Sequence, residues 1–378
     1  MNNPTNPMNS TNPQLLTRNT QPVMPMSANT PYRIGVVRDD RYLLHKPGHT
    51  HPEHPNRLKA IYRMLDAQFA GKLVGIKPRP ATLEHLELVH TPSYVKRVLK
   101  TADHGFTSLA PDTPASAETY LASWLAVGGC LKALDDLFNG ALHACFSLVR
   151  PPGHHALRDR AGGFCVFNNI GIAARYAMKE RDLKRILVID WDIHHGNGIN
   201  DLFHREKEVL YFSTHDPMLY PYTGDWEDAG AGEGAGYTVN IPLIRELDDG
   251  EFIRIYQKTA LPVLRAYGPQ LILVAAGFDA HQEDPIGRSR LTEETFGVLT
   301  RSIMAIRSEV GEPPILFVLE GGYSPRALAA SVEAVFHGLM NRDLVEDRPE
   351  TETPRVVDIV SKVRSVHERF GVWTSETL

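Results

Sequence analysis

Along most of this chain, short apolar runs alternate with longer stretches in which apolar residues return every three or four positions. Eight runs are short, rich in Val, Ile, Leu and Ala, and bounded by polar or turn-forming residues: 32–37, 73–77, 144–149, 186–190, 209–214, 237–241, 271–276 and 315–319. Runs of that length and composition read as strands buried on both faces. Helical patterns occupy 55–69, 92–101, 116–138, 168–180, 249–267, 292–309, 324–340 and 355–370, the last with Val356, Ile359, Val360, Val363 and Val366 at helical spacing. Strands alternating with helices predict an α/β fold with a parallel sheet covered on both faces. Ligands in such folds bind outside the carboxyl ends of the strands. The residues that follow each apolar run are therefore where chemistry is expected.

The 378 residues suffice for one large α/β domain. No linker-like stretch interrupts residues 31–378, which are expected to form a single catalytic domain, with no internal repeat. Residues 1–30 are rich in Asn, Pro and Thr and lack an apolar core, so a disordered tail is expected there, neither signal peptide nor domain. Forty basic against forty-five acidic residues, with no basic stripe, do not indicate a nucleic-acid partner. No apolar run approaches the roughly 20 residues of a membrane span. The three cysteines, Cys130, Cys145 and Cys165, contain no CxxC pair and make no disulfide framework, so a reducing, cytoplasmic setting is expected.

Four strand ends carry titratable groups. The run 186–190 ends in Asp190-Trp191-Asp192-Ile193-His194-His195, where alternation along a strand delivers Asp190, Asp192 and His194 together. The run 271–276 is followed by Gly277-Phe278-Asp279. Asp192, His194 and Asp279 form a three-ligand set that leaves a fourth position for water, the arrangement of catalytic zinc sites. Two carboxylates and one imidazole make a harder donor set than three imidazoles, so Fe²⁺ also fits.

The run 144–149 leads into Pro151-Pro152-Gly153-His154-His155, a rigid turn that aims two imidazoles. A catalytic imidazole needs a partner on its far nitrogen, and Asp190 and Asn197 are available. The Asp-paired ring should be the more basic. The run 315–319 leads into Glu320-Gly321-Gly322-Tyr323, where the Tyr323 hydroxyl is placed to donate to an oxyanion. Taken singly, a His pair or a turn tyrosine is usually structural; beside a metal trio the set reads as a single-metal amide hydrolase. Phe164, in Gly162-Gly163-Phe164-Cys165, and Tyr220 suit a narrow slot for an aliphatic chain. Cys165 reads as a packed small residue. His45, His49, His51 and His54, in a Pro-rich loop, are a minor candidate for a second metal site. The glycine-rich stretch 230–236 lacks the Lys-Ser/Thr ending of a phosphate loop and precedes a strand, so it is not a nucleotide site.

Six motifs together give the chain a family likeness. They are HPEHPNRL at 51–58, RPPGHHA at 150–156, GGFCVFNN at 162–169, DWDIHHGNG at 190–198, GFDAHQEDP at 277–285 and LEGGY at 319–323. The sequence resembles the zinc-dependent histone deacetylases over about residues 33–340, and within them the class II-like members and bacterial histone deacetylase-like amidohydrolases. The resemblance implies the arginase–deacetylase fold, with an eight-stranded parallel sheet flanked by helices. It implies hydrolysis of an acylated lysine in a peptide or protein, or of an acylated small amine. Carried over by position, Asp192, His194 and Asp279 match the zinc ligands, His154 and His155 the tandem histidines, and Tyr323 the catalytic tyrosine. Asp190, Asp192, His194 and Ser213 match a K⁺ site. Gly163, Phe164, Tyr220, Ile286 and Asp112 match substrate-contacting positions, and Asn197 is a class II feature. Relatives often associate, so a homo-oligomer is compatible with the likeness.

Tyr220 stands where the second tunnel wall is commonly Phe. Ile286 stands where a polyamine-selective relative carries Glu. An acetylpolyamine amidohydrolase with the same site is the nearest alternative. A dinuclear manganese ureohydrolase on this fold would need a further Asp at Gly196, and His281 stands where its second Asp would be. A non-catalytic acyl-lysine binding protein is the alternative of a different class.

Overall fold

In a computed structural model, the described residues are 32–243, 246–287, 289–341 and 352–372. Ten strands form among the described residues: β1 (Ile34–Val37), β2 (Val74–Ile76), β3 (Phe106–Ala110), β4 (Thr113–Ser116), β5 (Ala144–Ser147), β6 (Ile186–Asp190), β7 (Val209–His215), β8 (Thr238–Pro242), β9 (Leu271–Ala276) and β10 (Ile315–Leu319). Eight of them make one sheet in the order β2-β1-β5-β10-β9-β6-β7-β8, and every neighbouring pair is parallel. The eight apolar runs of the sequence are these eight strands. Residues of β1, β5, β6, β7, β9 and β10 are buried throughout, as helices on both faces require.

The helices are α1 (Asn56–Gln68), α2 (Leu83–Leu86), α3 (Pro92–Leu99), α4 (Thr119–Phe138), α5 (Asn169–Arg181), α6 (Asn197–Phe203), α7 (Asp249–Lys258), α8 (Ala260–Tyr267), α9 (Glu293–Glu309), α10 (Pro325–Met340) and α11 (Pro354–His367). The expected helix at 249–267 is two helices. Its break falls at Thr259, with φ −128° and ψ −72°. Pro262 lacks an N–H for the carbonyl of Lys258 and its ring would strike that carbonyl, so the helix cannot run through. The pair β3–β4, an antiparallel hairpin, and the short α2 and α6 carry too few residues to show a period and are absent from the sequence expectations.

The sheet order positions the site. β5, β10, β9 and β6 are consecutive neighbours at the centre of the sheet, and each leads directly into one of the four candidate motifs. Beneath their ends, Phe146, Trp191, Phe278, Phe296 and Phe317 pack ring against ring and are almost fully buried, which fixes the floor on which the motif loops stand.

Candidate functional site

Asp192, His194 and Asp279 converge. One ligand atom from each lies within 4.8 Å of the others, and all three residues are buried. Nδ1 of His194 is 3.0 Å from Oδ1 of Asp192 and 3.0 Å from Oδ2 of Asp279. Only Asp190 belongs to the strand itself; the chain leaves β6 after it, so Asp192 and His194 are aimed by backbone contacts, not by strand alternation. Oδ2 of Asp192 accepts the Gly321 N–H at 2.8 Å, Oδ1 accepts the His194 N–H at 2.9 Å, and Oδ1 of Asp279 accepts the Ile193 N–H at 3.0 Å. Gly321 has no side chain for a physical reason: a Cβ there would lie 2.0 Å from Oδ2 of Asp279.

Such a trio is costly when empty of cations. Burial and the neighbouring Asp192 push the Asp279 carboxyl up to about 6. For His194, burial opposes charge but the Asp279 and Asp192 carboxylates outweigh it and hold the imidazole well above its ordinary range. A divalent cation replaces that need for a proton, and the donor spacing suits it: tetrahedral bonds of about 2.1 Å put ligands about 3.4 Å apart.

The two histidines face different partners. Nδ1 of His154 is 3.2 Å from Oδ2 of Asp190, and Nδ1 of His155 is 2.9 Å from Oδ1 of Asn197. Burial works against charge on His154, but Asp192 and Asp190 outweigh it and raise its pKa to about 10. Burial, with His154 and His194 nearby, drives His155 well below the ordinary imidazole range. The side-chain oxygen of Asn197 accepts the Nδ1–H of His155, which leaves Nε2 with its lone pair. The expected asymmetry between the rings is present.

Tyr323 is buried, and its N–H donates to Oδ2 of Asp284 at 2.6 Å. Burial and the charge of Asp279 hold its hydroxyl well above its usual pKa, so it stays protonated and able to donate. The Phe164 ring stands edge-on to Tyr323 at 5.7 Å between centroids, and the Tyr220 ring edge-on to His155 at 4.9 Å. Aromatic rings thus pack against both the phenol and the second imidazole. Ser213 sits opposite Asp190 in the β6–β7 register, with Oγ 2.9 Å from Nδ1 of His215.

Asp112 is half-buried beside Gly163. Its Oδ2 accepts the Gly163 N–H at 2.9 Å and its Oδ1 the Thr113 hydroxyl at 2.9 Å. Ile286 is half-buried and donates its N–H to Oδ1 of Asp284. Cys165 is buried, as expected, with its thiol pushed well up by burial. It lies with His154 and Glu320 in a second buried cluster, but a thiol held neutral is a poor ligand and one Glu320 oxygen already accepts two backbone N–H groups. The loop histidines make no metal cluster among the described residues: His45 is 2.8 Å from Thr119 Oγ1, and His51 packs its edge on Phe164.

Several site-building residues escaped the sequence reading. Arg150, just before the Pro-Pro turn, makes a two-pronged ion pair with Glu53 at 2.5 and 2.7 Å. Arg57 reaches the same Glu53 at 2.9 Å and donates from Nε to the Gly322 carbonyl and from Nη2 to the Glu320 carbonyl. Glu53 and Arg57 are four residues apart in the 51–58 motif, the one local signal of their pairing. Asp284, which gathers the N–H groups of Tyr323, Ile286 and Gly287, gave no signal beyond its motif.

Residues 51–339 match the family profile described as "Histone deacetylase domain". The chain is 34% identical over 359 residues to "Histone deacetylase 15" of Arabidopsis thaliana, which covers 92% of this chain and 64% of that protein. It is 36% identical over 295 residues to a "Probable deacetylase" of Archaeoglobus fulgidus, covering 77% of this chain and 81% of the relative. The fold matches the crystal structure of the HDA15 HD domain with a TM-score of 0.83 and 34% identity, over 90% of this chain and 95% of that one. The chain spans less than two thirds of some curated relatives, including 45% of "Histone deacetylase HDA1" of Candida albicans.

Proposed function

This chain belongs to the histone deacetylase family, and from that premise we propose that it is a zinc-dependent hydrolase that removes acetyl and related acyl groups from lysine side chains. The observation that carries the reading is the convergence of Asp192, His194 and Asp279 beside two imidazoles of unlike basicity and a buried phenol.

A divalent ion held by Asp192, His194 and Asp279 would polarise the acyl carbonyl and make water more acidic. His155, neutral and with Nδ1–H committed to Asn197, is the base that takes the proton from the attacking water at Nε2 and returns it to the amine nitrogen as the C–N bond breaks. His154, kept charged by Asp192 and Asp190, supplies fixed positive charge beside the developing oxyanion. Tyr323 donates its hydroxyl hydrogen to that oxyanion. Phe164 and Tyr220 exclude water from the aliphatic chain of the substrate. Residues 31–378 would form the catalytic domain, and residues 1–30 lie outside the described residues. Asp190, Asp192, His194 and Ser213 would hold K⁺, whose charge opposes excess protonation of the His pair.

Acyl-lysine is favoured over an acylated polyamine as carrier. A second ammonium needs an unspent anion near the mouth. Glu283 is ion-paired with Arg326, and Ile286, where a polyamine-selective relative carries Glu, is apolar. No helix among the described residues is long and apolar enough to cross a membrane, and a cytoplasmic setting remains part of the proposal. A zinc-loaded, K⁺-containing preparation assayed on an acetyl-lysine peptide, N-acetylputrescine and N-acetylspermidine tests the reading. Preferred turnover of the peptide, with one metal per chain, is expected. Hydrolysis confined to the polyamines overturns the choice of carrier, and no hydrolysis of any acylated amine overturns the activity.

A further inference from the structure

Glu320 follows the last residue of β10, and it is fully buried. Its main chain is fixed on both sides: its N–H donates to the Ala276 carbonyl of β9 at 3.0 Å, and its carbonyl accepts Nη2 of Arg57 at 2.5 Å. Its side chain crosses to another loop. Oε2 accepts the N–H of Gly153 at 2.6 Å and the N–H of His154 at 3.1 Å.

Those are consecutive amides at the head of the His pair. The two residues before them, Pro151 and Pro152, have no N–H to give, so Gly153 and His154 carry the first donors of the turn. They are buried, and a buried amide without an acceptor is costly. No side chain fits at Gly153, because a Cβ there would sit 2.6 Å from the backbone of Asn169 and Phe167. The turn after β5 is therefore held in part by a carboxylate on the residue that follows the neighbouring strand β10. Tyr323 lies three residues after Glu320 on the same short segment. One side chain thus joins the segment bearing the phenol to the segment bearing both imidazoles.

We propose, resting on the hydrolase reading above, that Glu320 is a positioning residue: its carboxylate sets the His154–His155 turn against the Tyr323 turn, so that base and oxyanion donor meet one acyl group. It touches neither substrate nor metal in this role. What it supplies is an acceptor oxygen at a fixed place, so the side chain's length matters more than its charge.

Three substitutions separate these properties. Glu320→Gln keeps the length and an acceptor oxygen, Glu320→Asp keeps the charge but withdraws the oxygens by one methylene, and Glu320→Leu removes the acceptor. The expected order of kcat on an acetyl-lysine peptide is wild type, then Gln within about threefold, then Asp and Leu lower by about a hundredfold, with KM within about twofold and one zinc per chain retained. A Leu variant that fails to fold leaves the comparison of Gln with Asp to decide. Gln and Asp equally impaired, or a Leu variant with wild-type kcat, overturns the proposal. Amide hydrogen exchange supplies a readout independent of turnover. Gly153 and His154 should exchange at least tenfold faster in Asp or Leu than in wild type or Gln; unchanged protection refutes the hydrogen bonds even if activity falls. If wild type turns over no acylated amine, the hydrolase reading fails while exchange still judges the positioning.

Discussion

Gly163 lies so close to His155 that a Cβ on it would come within 2.2 Å of the ring carbon Cδ2. Its φ of +54° is also in the left-handed region that L side chains avoid. Ala at 163 therefore meets two obstacles, a strained backbone of about 1–2 kcal/mol and an imidazole that must turn away from Asn197. Gly163→Ala is expected to lower kcat more than tenfold while zinc content stays at one per chain. Wild-type kcat in that variant would mean the ring has room that this geometry denies.

The asymmetry of the histidines predicts a change in pH dependence. Burial lowers the His154 pKa, whereas the Asp192 and Asp190 carboxylates raise it above its ordinary value. Asp190→Asn removes one of the raising charges, so His154 loses its proton at lower pH. The alkaline limb of kcat should move down by about one unit. A pH–rate profile checks this, and a limb that stays in place would separate His154 from the protonation that governs rate.

Metal removal should cost both activity and stability. The stripped trio holds two buried carboxylates around an imidazole, and Asp279 is pushed up by burial and Asp192. Zinc bound only by the folded chain adds about 2.7 kcal/mol at a hundredfold excess over its Kd. Chelation is expected to abolish turnover and lower Tm, with both restored by one equivalent of Zn²⁺ or, if the site accepts it, Fe²⁺. Asp279→Asn should bind no stoichiometric metal by elemental analysis.

Tyr323→Phe removes only the hydroxyl, and the Asp284 contact to the Tyr323 N–H survives because it uses the main chain. Loss of one oxyanion donor costs about 10²–10³ in kcat. The expected variant has that loss, a KM near wild type and full metal content. A kcat within twofold of wild type would remove the phenol from the mechanism.

Glu53 carries a stability prediction. Burial works against its charge, but Arg150 and His45 outweigh burial and hold the carboxyl well below its usual range. A depressed carboxyl contributes stability that is full above its unfolded pKa of about 4.3 and is lost as pH falls through the folded value. Glu53→Gln leaves Arg150 and Arg57 without their buried counter-charge, at a cost of about 3–5 kcal/mol. Denaturant curves at pH 7, 5, 4 and 3 should show the gap between wild type and Gln narrowing below pH 4.3. A gap independent of pH would show that Glu53 is not ionised in the fold.

The sequence by itself determined the strands of the main sheet, because a strand buried on both faces writes its length into a local run of apolar residues, as in 271–276. It also determined which residue types end those strands, and so the candidate donor set Asp192, His194 and Asp279 and the pairing candidates Asp190 and Asn197. Period and strand-end position are properties of a few consecutive residues. The tertiary structure alone decided that β5, β10, β9 and β6 are neighbours, since crossover connections, not local pattern, set sheet order. It alone chose Glu53 for Arg150, Asp284 for the Tyr323 amide and Glu320 for the Gly153 and His154 amides, partners 97, 39 and up to 167 positions apart. Buried polar groups must find acceptors wherever the packed chain brings them. That requirement is satisfied by the completed fold and leaves no periodic trace in the sequence.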